Sequence, residues 1–119
     1  INASDEGIYL DYFYNLAYDM HDNSKATFGD FLFNHNTVTN ASGGYGLYFD
    51  DLEKLAYDMD GNSIANFGNF QFNNNSMHSD NAGVYVYNDC WGYDMYGDSR
   101  AYFGHFQMND NRVNTTHAG

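Results

Sequence analysis

The sequence predicts an all-β chain wound as a parallel β-helix (β-solenoid) of three tandem 36–39-residue repeats. Three observations lead there: one long unit recurs three times, its apolar residues alternate with period two, and Asn and Gly clusters separate the apolar runs.

The recurrence is plain in the segments Leu16–Val38, Leu55–Met77 and Trp91–Val113, which align at offsets of 39 and then 36 residues. Aromatic columns are Tyr18/Tyr57/Tyr93, Phe28/Phe67/Phe103, Phe31/Phe70/Phe106 and Phe33/Phe72/Met108. Polar columns are Asp19/Asp58/Asp94, Ser24/Ser63/Ser99 and Asn36/Asn75/Asn111. A second block opens with Gly7, Gly46 and Gly83, each followed by an apolar-Tyr-apolar string. Repeats of approximately 2–39, 40–80 and 81–117 are expected to form a single domain over 1–119, and Ala118-Gly119 reads as the start of another unit.

The strand assignment rests on pairs such as Phe31-x-Phe33 and Phe70-x-Phe72, where a helix would repeat every three or four residues. Turns are expected at Asn34–Asn36, Asn40–Gly44 and Asn73–Asn75. A unit of strand and turn alone buries its apolar face by stacking on its neighbours, so columns become ladders. Stacked rings add ~0.5–1.5 kcal/mol per pair beyond burial. Stacked Asn side chains satisfy one another's amides. The expected ladders are the Tyr18, Phe28, Phe31 and Asn36 columns, and the Tyr9/Tyr48/Tyr85 column is expected inside as packed core. The glycine spacing permits two short coils per unit; the long period favours one wide coil with three or more sides.

Composition narrows the function classes. The chain has 12 Tyr, 10 Phe and one Trp, 12 Gly and no Pro, so its apolar surface is aromatic. The net charge of −12 leaves Lys25, Lys54, Arg100 and Arg112 as the fixed cations, too few for a nucleic-acid patch. No apolar run approaches the ~18 residues of a membrane span. With one cysteine, Cys90, no internal disulfide forms, and the residue is expected to act as a small buried hydrophobe.

The string from Phe33 to Tyr48, Phe-Asn-His-Asn-Thr-Val-Thr-Asn followed by Gly-Gly-Tyr-Gly-Leu-Tyr, resembles the F-x-N-N-x-A and G-G-x-I-Y pattern of right-handed parallel β-helix repeat proteins of bacterial and archaeal cell surfaces. Phe72–Met77 through Gly83-Val-Tyr is similar, whereas the Tyr-Asp-Met-x-x-x-Ser segment departs from the pattern. The resemblance implies a fold and an extracellular, cell-surface location without any activity, since such folds host adhesins, layer proteins, phage fibres and lyases alike.

Candidate sites follow from residue type. Sequons place N-glycosylation candidates at Asn2, Asn40, Asn74 and Asn114, all expected in turns. Asp19, Asp58, Asp60 and Asp94 form a weak calcium candidate through oxygen ligands, although capping of a tight turn accounts more simply for the column. His21, His35, His78, His105 and His117 share no column and show no zinc spacing. No catalytic set or cofactor is expected, and the chain does not read as an enzyme; a polysaccharide lyase would want Lys or Arg beside clustered carboxylates. The function expected is a structural subunit or repeat segment of an extracellular filament, sheath or surface layer, with itself as partner through head-to-tail stacking. The alternative is a carbohydrate-binding adhesin or stalk module with a glycan partner.

Overall fold

The computed structural model describes residues 1–3, 5, 7–41 and 43–116, with backbone alone for Asn40, Ala41 and Asn88. After β1 (Asn2–Ala3), one coil runs through β2 (Ile8–Leu10), β3 (Lys25–Thr27), β4 (Phe31–Leu32) and β5 (Thr37–Ala41). The next comprises β6 (Leu47–Glu53), β7 (Ile64–Phe67), β8 (Phe70–Gln71) and β9 (Ser76–Ser79). The last comprises β10 (Val84–Asp89), β11 (Arg100–Phe103), β12 (Phe106–Gln107) and β13 (Arg112–Thr115). No helix occurs among the described residues, so none is long and apolar enough to cross a membrane.

The strands form four parallel sheets, β1-β5-β9-β13, β2-β6-β10, β3-β7-β11 and β4-β8-β12. Each strand therefore pairs with its counterpart one unit away, as in Ala26↔Ala65↔Ala101 and Phe31↔Phe70↔Phe106. Single bridges Met20↔Met59↔Met95 add a further contact column. The fold is a β-solenoid with one wide, four-sided coil per unit. Parallel neighbours need a long return path, and here the rest of the coil supplies it. Three or four rungs at ~4.8 Å account for about 14–20 Å of height, so the 49 Å extent of the 49 × 22 × 20 Å molecule is the width of a flattened coil.

Corners are built from a repeated backbone conformation. Positive φ recurs at Asn15/Lys54/Cys90, Ala17/Ala56/Gly92, Asp19/Asp58/Asp94, Asp22/Gly61/Gly97 and His35/Asn74/Asp110, with values between 53° and 65°. Asn, Asp and Gly tolerate this left-handed region best. The Asp19 column is thus first a set of corner residues. At Gly61, a Cβ would lie 2.7 Å from the Asp22 carbonyl oxygen, so the corner also needs the close approach only glycine allows.

The change of offset from 39 to 36 has three local causes. Each places one extra residue between Val38 and Leu52. The pairs Thr37↔Ser76 and Val38↔Met77 slip at Ala41↔Ser79, which marks a bulge in β5. The turn from Ala41 to Leu47 holds one residue more than that from Ser79 to Val84. The pairs Phe49↔Val86 and Leu52↔Asn88 enclose a second bulge, where Asp51 takes φ 53°. All three lie in this one stretch of the coil, and the Asp, aromatic and Asn columns elsewhere keep their register.

Period-two alternation directs alternate side chains inward. In β7, Ala65 and Phe67 are buried while Ile64 and Asn66 are not; in β9, Met77 and Ser79 are buried while Ser76 and His78 face solvent. The fully covered apolar side chains lie almost all in the second coil, from Leu47 to Met77, joined by Met20 and Val38 of the first. A coil covered on both sides buries its core completely, and each such aromatic or aliphatic side chain contributes roughly 1.5–3 kcal/mol.

Candidate functional site

The inner Asn column is a continuous hydrogen-bond ladder. Asn75, 1% exposed, accepts at Oδ1 from the Asn36 backbone N–H at 2.9 Å and from Asn36 Nδ2 at 3.0 Å. Its Nδ2 donates to the Phe33 carbonyl at 2.8 Å and to Asn111 Oδ1 at 2.9 Å. Asn111 in turn accepts from the Asn75 N–H at 2.9 Å and donates through Nδ2 to the Phe72 carbonyl. The amide of Asn75 thereby fills its two donor and two acceptor positions, which is what permits its burial.

Two more columns run in the opposite sense. Asn34 Oδ1 accepts from the Asn73 N–H at 2.7 Å, and Asn73 Oδ1 accepts from the Asn109 N–H at 2.9 Å. Asp30 Oδ1 accepts from the Asn69 N–H at 2.7 Å, and Asn69 Oδ1 accepts from the His105 N–H at 3.0 Å. Backbone donors at corners where strand pairing lapses are satisfied by the neighbouring coil's side chain.

Aromatic columns accompany these. Phe28, Phe67 and Phe103 stack at 4.8 and 4.9 Å between centroids, and Phe31, Phe70 and Phe106 at 4.5 and 6.5 Å. Trp91 lies on Phe70 at 5.3 Å and donates its indole N–H to the Leu52 carbonyl at 2.9 Å. Tyr18, Tyr57 and Tyr93 stack at 5.6 and 5.9 Å but on the outside, where Tyr18 and Tyr93 are exposed.

Tyr9, Tyr48 and Tyr85 do not line the core as expected. Their strands turn the flanking Ile8 and Leu10, Leu47 and Phe49, or Val84 and Val86 inward, so the Tyr column faces out, and Tyr9 and Tyr85 are exposed. Tyr45 joins them, 4.8 Å from Tyr48 and 5.1 Å from Tyr85. Partial loss of water, with Asp11 and Asp50 nearby, pushes the Tyr9 phenol up to about 12. The hydrogen bond and charge of Asp94 push Tyr57 to about 12 as well.

The candidate calcium carboxylates are spread along the corner. Asp19 and Asp60 bracket His21, with Nε2 2.7 Å from Asp19 Oδ1 and Nδ1 3.0 Å from Asp60 Oδ1. The contacts with Asp60 and then Asp19 raise the His21 pKa above its ordinary value. Asp94 serves Tyr57 and Tyr96. Among the described residues, no three of His, Cys, Asp and Glu converge as a metal site.

The sequons are placed differently from expectation. Asn2, Asn40 and Asn114 lie in strands β1, β5 and β13, because the first sheet absorbs what reads as turn sequence. Asn74 alone of the four sits at a corner, with φ 56°, and it is exposed. Asn2 and Asn40 are register partners; the side chain of Asn40, like His117 and the Ala118-Gly119 end, lies outside the described residues. Asn114 Nδ2 is 3.2 Å from His78 Nδ1, beside a shallow groove of about 210 Å³ lined in part by Thr37, Ser76 and Arg112. Cys90 is half-buried at a corner, next to Lys54, and loss of water and Asp89 raise its thiol pKa.

The end of the stack carries a feature that column reading misses. In the third coil Phe106 is 49%, Met108 48% and Val113 47% exposed, while their counterparts Phe70, Phe72 and Met77 in the second coil are 3%, 0% and 2% exposed. The upper face is an uncovered cross-section of the core. The sequence signal was the like apolar character of all three units. No protein-family model, curated protein or solved structure matches the chain.

Proposed function

We propose that the chain is a structural segment of an extracellular filament, sheath or surface layer, in which the end faces of the solenoid receive further coils of the same kind. The observation that carries this reading is that like residues pair coil on coil, Phe31 on Phe70 on Phe106 and Asn36 on Asn75 on Asn111, so that a further coil of the same kind continues every column and gains the same contacts. A face 49 Å by about 20 Å is on the order of the ~800 Å² per partner that a stable interface uses. Non-closing head-to-tail contacts of one such face on another give a filament. The 16 acidic against 4 basic residues oppose the stacking through self-repulsion, so salt favours it.

Sedimentation of the purified chain over a wide concentration range, with negative-stain microscopy, tests the reading. Linear oligomers growing with concentration and ionic strength support it. A folded monomer at every concentration sinks it.

One observation favours a carbohydrate-binding module as the second reading. Tyr48 stacks on Tyr9 at 20° and on Tyr45 at 28°, whereas the exposed Tyr85 ring is tilted by 42° to Tyr45 and 62° to Tyr48, which offers a ring to a sugar beside the stack. The Tyr18 column does not offer this, because its rings cover each other's faces at 7° and 19° and present edges to water. Glycan binding lost on Tyr48→Ala and Tyr85→Ala would favour the module.

A further inference from the structure

Two lateral faces of the coil carry opposite charge. The outer face of β2, β6 and β10 presents the Tyr9, Tyr48 and Tyr85 column, of which Tyr9 and Tyr85 are exposed. These strands contain no Lys or Arg but hold Asp50, Glu53 and Asp89, and Asp11 follows β2 directly. Loss of water, with Asp11 and Asp50, holds the Tyr9 phenol up at about 12, and loss of water with Asp50 raises Tyr48. The rings therefore stand in a negative field.

The carboxylates of this face are set in pairs. Glu53 and Asp89 are register partners on neighbouring strands. Asp11 and Asp50 each follow the register pair Leu10↔Phe49, and both act on Tyr9. Like charges directly opposite destabilise a sheet, so a cation arriving from outside relieves both pairs.

The outer face of β3, β7 and β11 is the complement. Lys25, Ile64 and Arg100 form one column across the three coils. Lys25 and Arg100 are exposed and stand two rungs apart, ~10 Å, with half-buried Ile64 between them. These three strands contain no Asp or Glu. Among the described residues, neither cation nor any of the four carboxylates is in ion-pair contact with an opposite charge.

We propose that the two faces bind each other between copies of this chain lying side by side, with Lys25 and Arg100 of one copy on the tyrosine and carboxylate face of the next. With the stacks running the same way, Lys25 lies level with Asp11 and Asp50 in the lower coils, and Arg100 level with Glu53 and Asp89 in the upper ones. Ile64 then meets the Tyr48 ring of the middle coil. Ammonium and guanidinium groups also gain from lying over tyrosine rings. Each copy offers one face of each kind, so the contact is heterologous and repeats from copy to copy, into a ring where the rotation closes and a sheet where it does not. The inference rests on the structural reading above for growth along the axis. It adds the sideways contact that turns a filament into a sheath or layer, with strand spacing still along the axis. The net charge of −12 opposes the approach, but charges farther apart than ~8–10 Å are screened at physiological salt, whereas the contacting pairs are not.

Salt separates the two kinds of contact. Stacking through the end faces strengthens as self-repulsion is screened, while the lateral contact weakens as its attraction is screened. Negative-stain microscopy and sedimentation of the whole chain at ~0.15 M and ~1 M salt therefore read them apart. Side-by-side bundles or sheets are expected at the lower salt, dispersing into single filaments at the higher. Two variants complete the test, one with Lys25→Glu and Arg100→Glu, the other with Asp11→Lys and Glu53→Lys. Each alone is expected to lose lateral association at least about 10-fold, because like charges then face each other, and an equal mixture of the two to regain it. If each variant bundles as the parent does, or if mixing restores nothing, the lateral contact is wrong while stacking stands. Salt-sensitive side-by-side pairs that never lengthen into filaments would uphold the contact and remove stacking. A monomer at both salts removes both. The salt comparison on the parent chain decides the matter even where a variant folds poorly.

Discussion

Single side chains carry the inter-coil bonding, and Asn75 carries most of it. Replacing it with Ala strands the Asn36 donors and the Phe33 carbonyl, and leaves Asn111 Oδ1 with the residue 75 backbone N–H alone. Each orphaned buried group costs ~1–3 kcal/mol, so Asn75→Ala is expected to lower stability by about 3 kcal/mol in denaturant titration. The serine column separates a bonded from an unbonded hydroxyl at one position. Ser99 Oγ donates to the Met59 carbonyl at 3.2 Å, whereas buried Ser63 Oγ has no partner among the described residues. Ser99→Ala should therefore cost about 1 kcal/mol, and Ser63→Ala should leave stability unchanged or raised. His21 gives the pH dependence. Its pKa is raised by Asp60 and Asp19, so its contribution is complete below the ordinary value of about 6.5 and is lost as pH rises through the folded pKa. In an NMR titration Asp60→Asn should move that pKa down; an unmoved pKa contradicts the bracket.

At the scale of elements, the corners decide where strands end, and they were only partly legible. Asp19, Asp58 and Asp94 could be read as turn residues because Asp tolerates positive φ. Lys54, Ala56 and Cys90 could not, since their type opposes the left-handed conformation that their neighbours impose. The strands were legible where the core fixes them, as at Phe31 and Phe70. They were not at Asn2, Asn40 and Asn114, where polar sequence joins a sheet because the strand of a neighbouring coil offers its edge. The outward Tyr9 column went astray for a related reason: period two gives two faces, and both are apolar in Ile8-Tyr9-Leu10, so pattern alone does not choose the inner one. The corner geometry itself is testable. Gly61→Ala places a methyl against the Asp22 backbone and should cost more than the ~1–2 kcal/mol of left-handed strain. Gly92→Ala, with nothing nearer than Phe103 at 3.7 Å and Ala17 and Ala56 in the same column, should cost no more than that strain. Thermal melts of the two variants compare them directly.

The whole molecule is a thin slab of stacked coils whose strength runs between units. The columns showed that units stack, and the long period pointed to one wide coil; the four sides and the flattened section depend on corner dihedrals that no column records. The candidate columns were all visible as repeats, yet which of them face solvent was not. One measurement tests the central claim most directly, the axial repeat of assembled material by fibre diffraction or helical reconstruction. Stacking coil on coil through the end faces predicts one chain per three rungs, a rise of about 14 Å, with a strong ~4.8 Å reflection along the fibre axis. A repeat near the 49 Å coil width, with strand spacing across the axis, would mean side-by-side packing and would contradict the account.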